Sequence, residues 1–191
     1  MSQQDKEKWD KKYTETASLL AKRPPSELVS GFFGEASGTR ALDLACGGGR
    51  HSLFLADKGF NVDAVDISTV ALEALREKAD LEKINIIEAD LDTFTPEHEA
   101  YDIIVKANFL DRALIERAKA ALKPGGVMVV ETYMVDESNT RSDSNPAFLL
   151  QKEELKSLFK TGFTVLEYKE FWNEPHEKDR MKKQAIAVKK D

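Results

Sequence analysis

The strongest limit on what this chain folds into is a run of five short apolar segments, spaced at intervals that suit strands alternating with helices. They are RALDLAC (40–46), NVDAVDI (61–67), INIIEADL (84–91), YDIIVKAN (101–108) and VMVVETY (127–133). After the first comes HSLFLADK, a helical stretch stopped by Gly59, which suits a left-handed C-terminal cap. Ser68 is an N-cap for a helix that carries Ile67, Ala71, Ala74, Leu75 and Ala79 at helical spacing. A helix from about Asp111 to Leu122 places Leu110, Leu114, Ala118 and Leu122 four apart and ends at Pro124-Gly125-Gly126. Strands alternating with helices in this way predict an α/β fold, a parallel sheet covered on both faces.

After Tyr133 the rhythm changes. VDESNTRSDSNPA is a polar loop of the kind found at the rim of a site, and KEELKSLF is a short helix before Gly162. Two further strand-like runs, FTVLEYKEFW (163–172) and KKQAIAVKK (182–190), are separated only by NEPHEKDRM, too short for a crossover helix, so they pair antiparallel. Residues 1–39 stand outside the sheet. They hold helical material around Trp9 and Tyr13 and a short helix after Pro24 and Pro25, and are expected to form a helical cover on a core spanning 40–191, one domain in all.

The first strand runs into DLACGGGRH (43–51). Glycine weakens regular structure, so three in succession at a strand exit need a reason. In open α/β sheets ligands bind outside the carboxyl ends of the strands, and a turn without side chains lets a ligand rest on backbone N–H groups. Asp66 ends the second strand, where a carboxylate accepts hydrogen bonds from both ribose hydroxyls of a nucleoside; Asp90 ends the third, where a carboxylate accepts from an adenine amino group while the Leu91 N–H donates to a ring nitrogen. A dinucleotide turn reads GxGxxG/A, but GGGRHS ends in Ser52. That mismatch demotes a nicotinamide-dependent oxidoreductase and favours a nucleoside cofactor without phosphates.

Composition narrows the partners. With a formal net charge of −6, the chain is ill suited to a broad phosphate-binding surface, and nucleic acid is not an expected partner. The polar start MSQQDKEKWDKK does not read as a signal peptide, no apolar run is long enough for a membrane span, and Cys46 is the single cysteine; a cytoplasmic location is expected. His51, His98 and His176 match no metal-ligand spacing, so no metal is expected.

LDLACGGGRHSLFLADKGFNVDAVDIS resembles the first motif and following acidic strand of class I S-adenosylmethionine-dependent methyltransferases, and EADL, YDIIVKANFLDR and LKPGGVMVVET resemble their later motifs. WDKKY and NPAFLLQKEELKSLF are similar to the small-molecule branch that contains the tellurite-resistance and thiopurine methyltransferases. The resemblance implies a Rossmann-like seven-stranded sheet of order 3-2-1-4-5-7-6 with strand 7 antiparallel, S-adenosylmethionine as cofactor, and a small-molecule methyl acceptor. It also implies that Asp43, Ala45, Gly47 and Gly49 form the wall under the methionyl part. Asp66 takes the ribose, Ile67 packs on the adenine, Asp90 and Leu91 read its edge, and Lys106, Ala107 and Asn108 end the fourth strand beside the sulfonium.

Each of these residues also has a structural reading. Asp43 serves equally well as an acceptor that fixes the glycine turn, Asp66 as a favourable charge near a helix start, Cys46 as a small buried filler, and Trp9 with Tyr13 as a packing pair. Catalytic residues are not assigned by any acid/base constellation; Tyr13, Asn108 and Tyr133 are the candidates, with Arg23 and Arg112 as candidates for substrate contact. A nucleic-acid or protein methyltransferase, and a cofactor-binding protein without catalysis, stay open as alternatives.

Overall fold

The computed structural model describes residues 3–141, 145–173 and 179–191; His176 and part of the polar loop after Tyr133 lie outside the described residues. Seven strands form one sheet of order β3-β2-β1-β4-β5-β7-β6. They are β1 (Arg40–Leu44), β2 (Asn61–Asp66), β3 (Ile84–Glu88), β4 (Tyr101–Ala107), β5 (Leu122–Tyr133), β6 (Phe163–Trp172) and β7 (Lys182–Lys190). The first five pair in parallel, and β7 runs antiparallel to both β5 and β6. This is the order implied by the resemblance.

Side chains alternate across the strands, so each face builds its own core. Leu42, Leu44, Ile104, Met128, Val130, Ile186 and Val188 pack with α5 (Arg112–Ala121) and α6 (Glu154–Leu158). Ala41, Ile103, Val105, Val127, Val129, Ala185 and Ala187 pack with α2 (Glu27–Phe32), α3 (Arg50–Asp57) and α4 (Thr69–Arg76). Among the described residues no helix is long and apolar enough to cross a membrane.

Three strands have a boundary that differs from expectation by two residues or more. β5 begins at Leu122 instead of Val127, because Leu122 pairs with Tyr101 and a register shift after Tyr101 absorbs Pro124 and the left-handed Gly125. Pro124 is tolerated there since β7 joins only from Val127 onward. β3 stops at Glu88: the Ala89 N–H still reaches the Asp66 carbonyl, but the Asp90 carbonyl then accepts from the N–H groups of Thr93 and Phe94, turning the chain out of the sheet. β1 stops at Leu44, where Ala45 takes a positive φ of 58°.

The N-terminal residues are docked on the sheet's carboxyl edge. α1 (Gln3–Glu15) is followed by a 3-10 turn at Ala17–Leu20. Asp10 on α1 accepts from the Ser68 hydroxyl (2.6 Å) and the Val70 N–H (3.2 Å), so a carboxylate from another helix helps cap α4. The Lys6 ammonium bonds to the Ile67 carbonyl, the Thr69 hydroxyl and Glu88, and Lys78 donates to the Leu20 carbonyl (2.6 Å).

Candidate functional site

The exit of β1 folds back sharply into α3. Ala45, Gly47 and Gly49 all have positive φ (58°, 52° and 79°), and Gly49 is the left-handed N-cap of α3. The turn is closed by hydrogen bonds from Cys46 N–H to the Val65 carbonyl and from Gly49 N–H to the Cys46 carbonyl. Two carboxylates brace it. Asp43 Oδ2 accepts from both the N–H (3.0 Å) and the hydroxyl (2.6 Å) of Ser52, tying β1 to α3. Asp66 Oδ2 accepts from the Gly47 N–H (2.8 Å), and its Oδ1 accepts from the Ser68 N–H (2.9 Å), tying the end of β2 to the same turn. Burial pushes both carboxyls up, Asp43 to about 7.

The glycines answer to different neighbours. A Cβ on Gly47 would lie 2.9 Å from the Tyr13 hydroxyl, and one on Gly48 would lie 3.1 Å from Leu20, so the N-terminal segment rests directly on the turn. A Cβ on Gly49 would lie 2.2 Å from Leu75 of α4, so this glycine is required by the core beneath the turn. Tyr13 packs against Trp9 with ring centroids 5.8 Å apart. Burial, then the charge of Asp66, raises the pKa of its hydroxyl, which stays protonated.

Around this turn the structure gathers most of the residues expected from sequence. Ile67 and Leu91 are buried, Asp90 is half-buried with Oδ1 accepting from the Asp92 N–H, and Ala107 is half-buried at the end of β4. Asn108 is exposed, takes a φ of 59°, and donates its N–H to the Glu131 carbonyl (2.8 Å). Lys106 is fully buried; its ammonium donates to the Phe109 carbonyl and burial drives its pKa down to about 7. Arg112 does not face the turn. Its guanidinium grips the Glu154 carboxylate with two nitrogens and donates to the carbonyls of Ala147 (3.0 Å) and Leu149 (3.2 Å), so it holds the loop after β5 in place.

Sequence reasoning missed three groups here. Glu131 and Lys183 form an ion pair between β5 and β7 with only 5% and 4% of each residue exposed, and the Lys183 ammonium lies over the rings of Tyr133 (5.2 Å) and Phe171 (5.8 Å). By alternation Glu131 shares a face with Val127 and Val129, the face that carries the glycine turn, and a charge at such an inward position is the signal that was available. His51 is buried; its Nε2 accepts from the Ser26 N–H (3.3 Å), and burial together with Arg50, Lys183 and Arg23 pushes its pKa down to about 3.

These residues suit a nucleoside bearing a short amino-acid chain. An acceptor carboxylate stands at the end of β2, the adjoining turn at Gly47, Gly48 and Gly49 lacks Cβ atoms, and Ile67 and Leu91 supply apolar surface.

The family model for tellurite resistance protein TehB matches residues 1–189. The probable S-adenosyl-L-methionine-dependent methyltransferase TehB of Haemophilus influenzae is 31% identical over 153 residues, 73% of this chain and 51% of that protein. A ubiquinone biosynthesis O-methyltransferase of Actinobacillus pleuropneumoniae is 32% identical over 116 residues, 54% of this chain and 48% of that protein. The chain thus spans about half the length of these relatives. The crystal structure of TehB from Haemophilus influenzae superposes with a TM-score of 0.77 at 25% identity, covering 92% of this chain and 65% of that one. A methyltransferase of Methanosarcina mazei, 18% identical, has the same fold (TM-score 0.68, covering 88% and 99% of the two chains).

Proposed function

Because the chain belongs to the tellurite resistance protein TehB family, we propose that it transfers a methyl group from S-adenosylmethionine to a small-molecule nucleophile. The observation that carries this reading is the Asp66 carboxylate bonded to the Gly47 N–H, an acceptor suited to a ribose beside a turn of three glycines. When bound, the cofactor would supply a methyl group on a sulfonium: the acceptor would bond to the methyl carbon in line with the breaking S–CH3 bond, and S-adenosylhomocysteine would leave as the neutral thioether. Asp66 accepts from the ribose hydroxyls, Asp43 and Ser52 hold the wall formed by Ala45, Gly47 and Gly49, and Ile67, Asp90 and Leu91 frame the adenine. Ala107 and Asn108 border the reacting methyl, with Tyr133 and the Glu131–Lys183 pair on the acceptor side.

Residues 1–39 act in this reading as a cover over the 40–191 core, and Tyr13 excludes water from the sulfonium. Displacement at a sulfonium asks chiefly for alignment, and a thiol, amine or metalloid oxyanion needs no dedicated base. The acidic net charge supports small acceptors over nucleic acid, and a cytoplasmic location fits the single buried thiol. Calorimetry with S-adenosylhomocysteine, followed by a methyl-transfer screen across thiols, amines, carboxylates and metalloid oxyanions including tellurite, tests the reading. Absence of S-adenosylhomocysteine binding would sink it.

A further inference from the structure

Lys106 is fully buried, yet it takes no part in the function proposed above. Near the end of β4 it stands between Leu44 of β1 and Val130 of β5, on the face that packs with α5 and α6. Its ammonium donates to the Phe109 carbonyl and lies 4.9 Å from the centre of the Phe109 ring. Among the described residues no carboxylate comes within ion-pair distance of it. Asp111, the N-cap of α5, accepts from the Leu114 N–H (2.9 Å), and Glu154 of α6 is held by Arg112. Burial brings the Lys106 pKa down to about 7, with Asp111 raising it and Arg112 lowering it. A buried ammonium with one carbonyl as its acceptor is costly, and an apolar side chain suits the same layer better.

What the ammonium secures is a turn. β4 ends at Ala107, Asn108 takes a φ of 59° that L side chains rarely adopt, and the chain then runs through Phe109 to the cap of α5. Two ties hold this path. The Asn108 N–H donates to the Glu131 carbonyl on β5 (2.8 Å), and the Lys106 ammonium holds the Phe109 carbonyl one residue further on. Between them the ties fix Asn108, which with Ala107 borders the reacting methyl in the function proposed above. A left-handed residue of this kind persists only where its surroundings over-determine it, and in-line displacement is sensitive to small shifts of the groups around the methyl.

We propose that Lys106 is a positioning residue for methyl transfer: through the Phe109 carbonyl, its ammonium fixes the left-handed turn at Asn108 that borders the methyl carried by the cofactor. The inference rests on the cofactor reading given above. Lys106 acts through the turn and not by contact with cofactor or acceptor. Its charge lowers stability while its hydrogen bond sharpens alignment, so removing the side chain's charge and donor separates the two effects.

The test uses the full chain, S-adenosylhomocysteine, and S-adenosylmethionine isotope-labelled at its methyl carbon. Lys106→Met, which keeps an unbranched side chain but removes the charge and the donor, should unfold in urea at a midpoint no lower than wild type. It should bind S-adenosylhomocysteine within twofold of wild type by calorimetry, because the groups that hold the nucleoside are untouched. The methyl resonance of bound S-adenosylmethionine should nevertheless move toward its free-ligand position, and kcat for the best acceptor found in the screen should fall at least tenfold with its KM unchanged. A methyl resonance or a kcat that stays at the wild-type value in Lys106→Met overturns the proposal. So does a variant that unfolds below wild type, which would make the ammonium a structural tie. Failure of wild type to bind S-adenosylhomocysteine overturns the cofactor reading itself.

Discussion

Asp66 braces the fold, and in the proposed function the same side chain also takes the ribose. Its position at a strand end, 17 residues after the last glycine of the turn, marks it in the sequence as a ribose acceptor; its bonds to Gly47 and Ser68 are made only when β1 and β2 lie side by side. Asp66→Ala should therefore weaken S-adenosylhomocysteine at least tenfold by titration and also lower stability by about 1–3 kcal/mol in urea unfolding, since two buried N–H groups lose an acceptor. A stability loss with unchanged binding would leave Asp66 as a brace alone. Asp43 is legible in the sequence as an acceptor that fixes the glycine turn, whereas His51 is legible only as a histidine near a helix start. Burial raises the Asp43 carboxyl from 3.8 to about 7 and lowers His51 from 6.5 to about 3. A raised carboxyl gives stability that is full below pH 3.8 and lost as pH rises toward 7; a lowered histidine gives stability that is full above pH 6.5 and lost as pH falls toward 3. The two slopes oppose each other. Relative to wild type, Asp43→Asn should gain stability as pH rises from about 4 to 7, and His51→Gln should gain it as pH falls from about 6.5 toward 3, both read from unfolding midpoints.

At the scale of elements, the apolar runs locate the five parallel strands, but local pattern misplaces their ends. Pro124-Gly125-Gly126 reads as a helix stop, yet the pairing of Leu122 with Tyr101, a contact across the sheet, extends β5 through it. The polar α1 gives no apolar stripe to say where it docks; ionic and capping contacts to α4 and β3 decide that. Removing the Asp10 carboxylate should loosen the cover without disturbing the sheet. Asp10→Ala should speed hydrogen exchange in residues 5–20 and weaken the α4 cap by about 0.5–2 kcal/mol, and S-adenosylhomocysteine should restore protection there. Exchange in 5–20 that is the same in variant and wild type would show that Asp10 does not hold the cover.

For the whole molecule, strand order came from resemblance to a family, whereas the Glu131–Lys183 pair arises from a register 52 residues apart in sequence that no local spacing reveals. The pair sits where the carboxyl end of β5 meets the start of β7, beside Ala107 and under Tyr133 and Phe171. Removing one partner strands a buried charge. Glu131→Gln or Lys183→Met alone should cost about 3–5 kcal/mol, while the double variant, with no charge left to strand, should recover most of that loss. Recovery makes a functional measurement possible on a folded protein. If the pair lines the acceptor side, the double variant should bind S-adenosylhomocysteine as wild type does and lose at least tenfold in kcat/KM for the best acceptor found in the screen. Wild-type kcat/KM should meanwhile rise with the acceptor's own ionisation, because Glu131 is held by Lys183 and does not serve as a free base. Full activity in the stable double variant would make the pair a purely structural seam between β5 and β7.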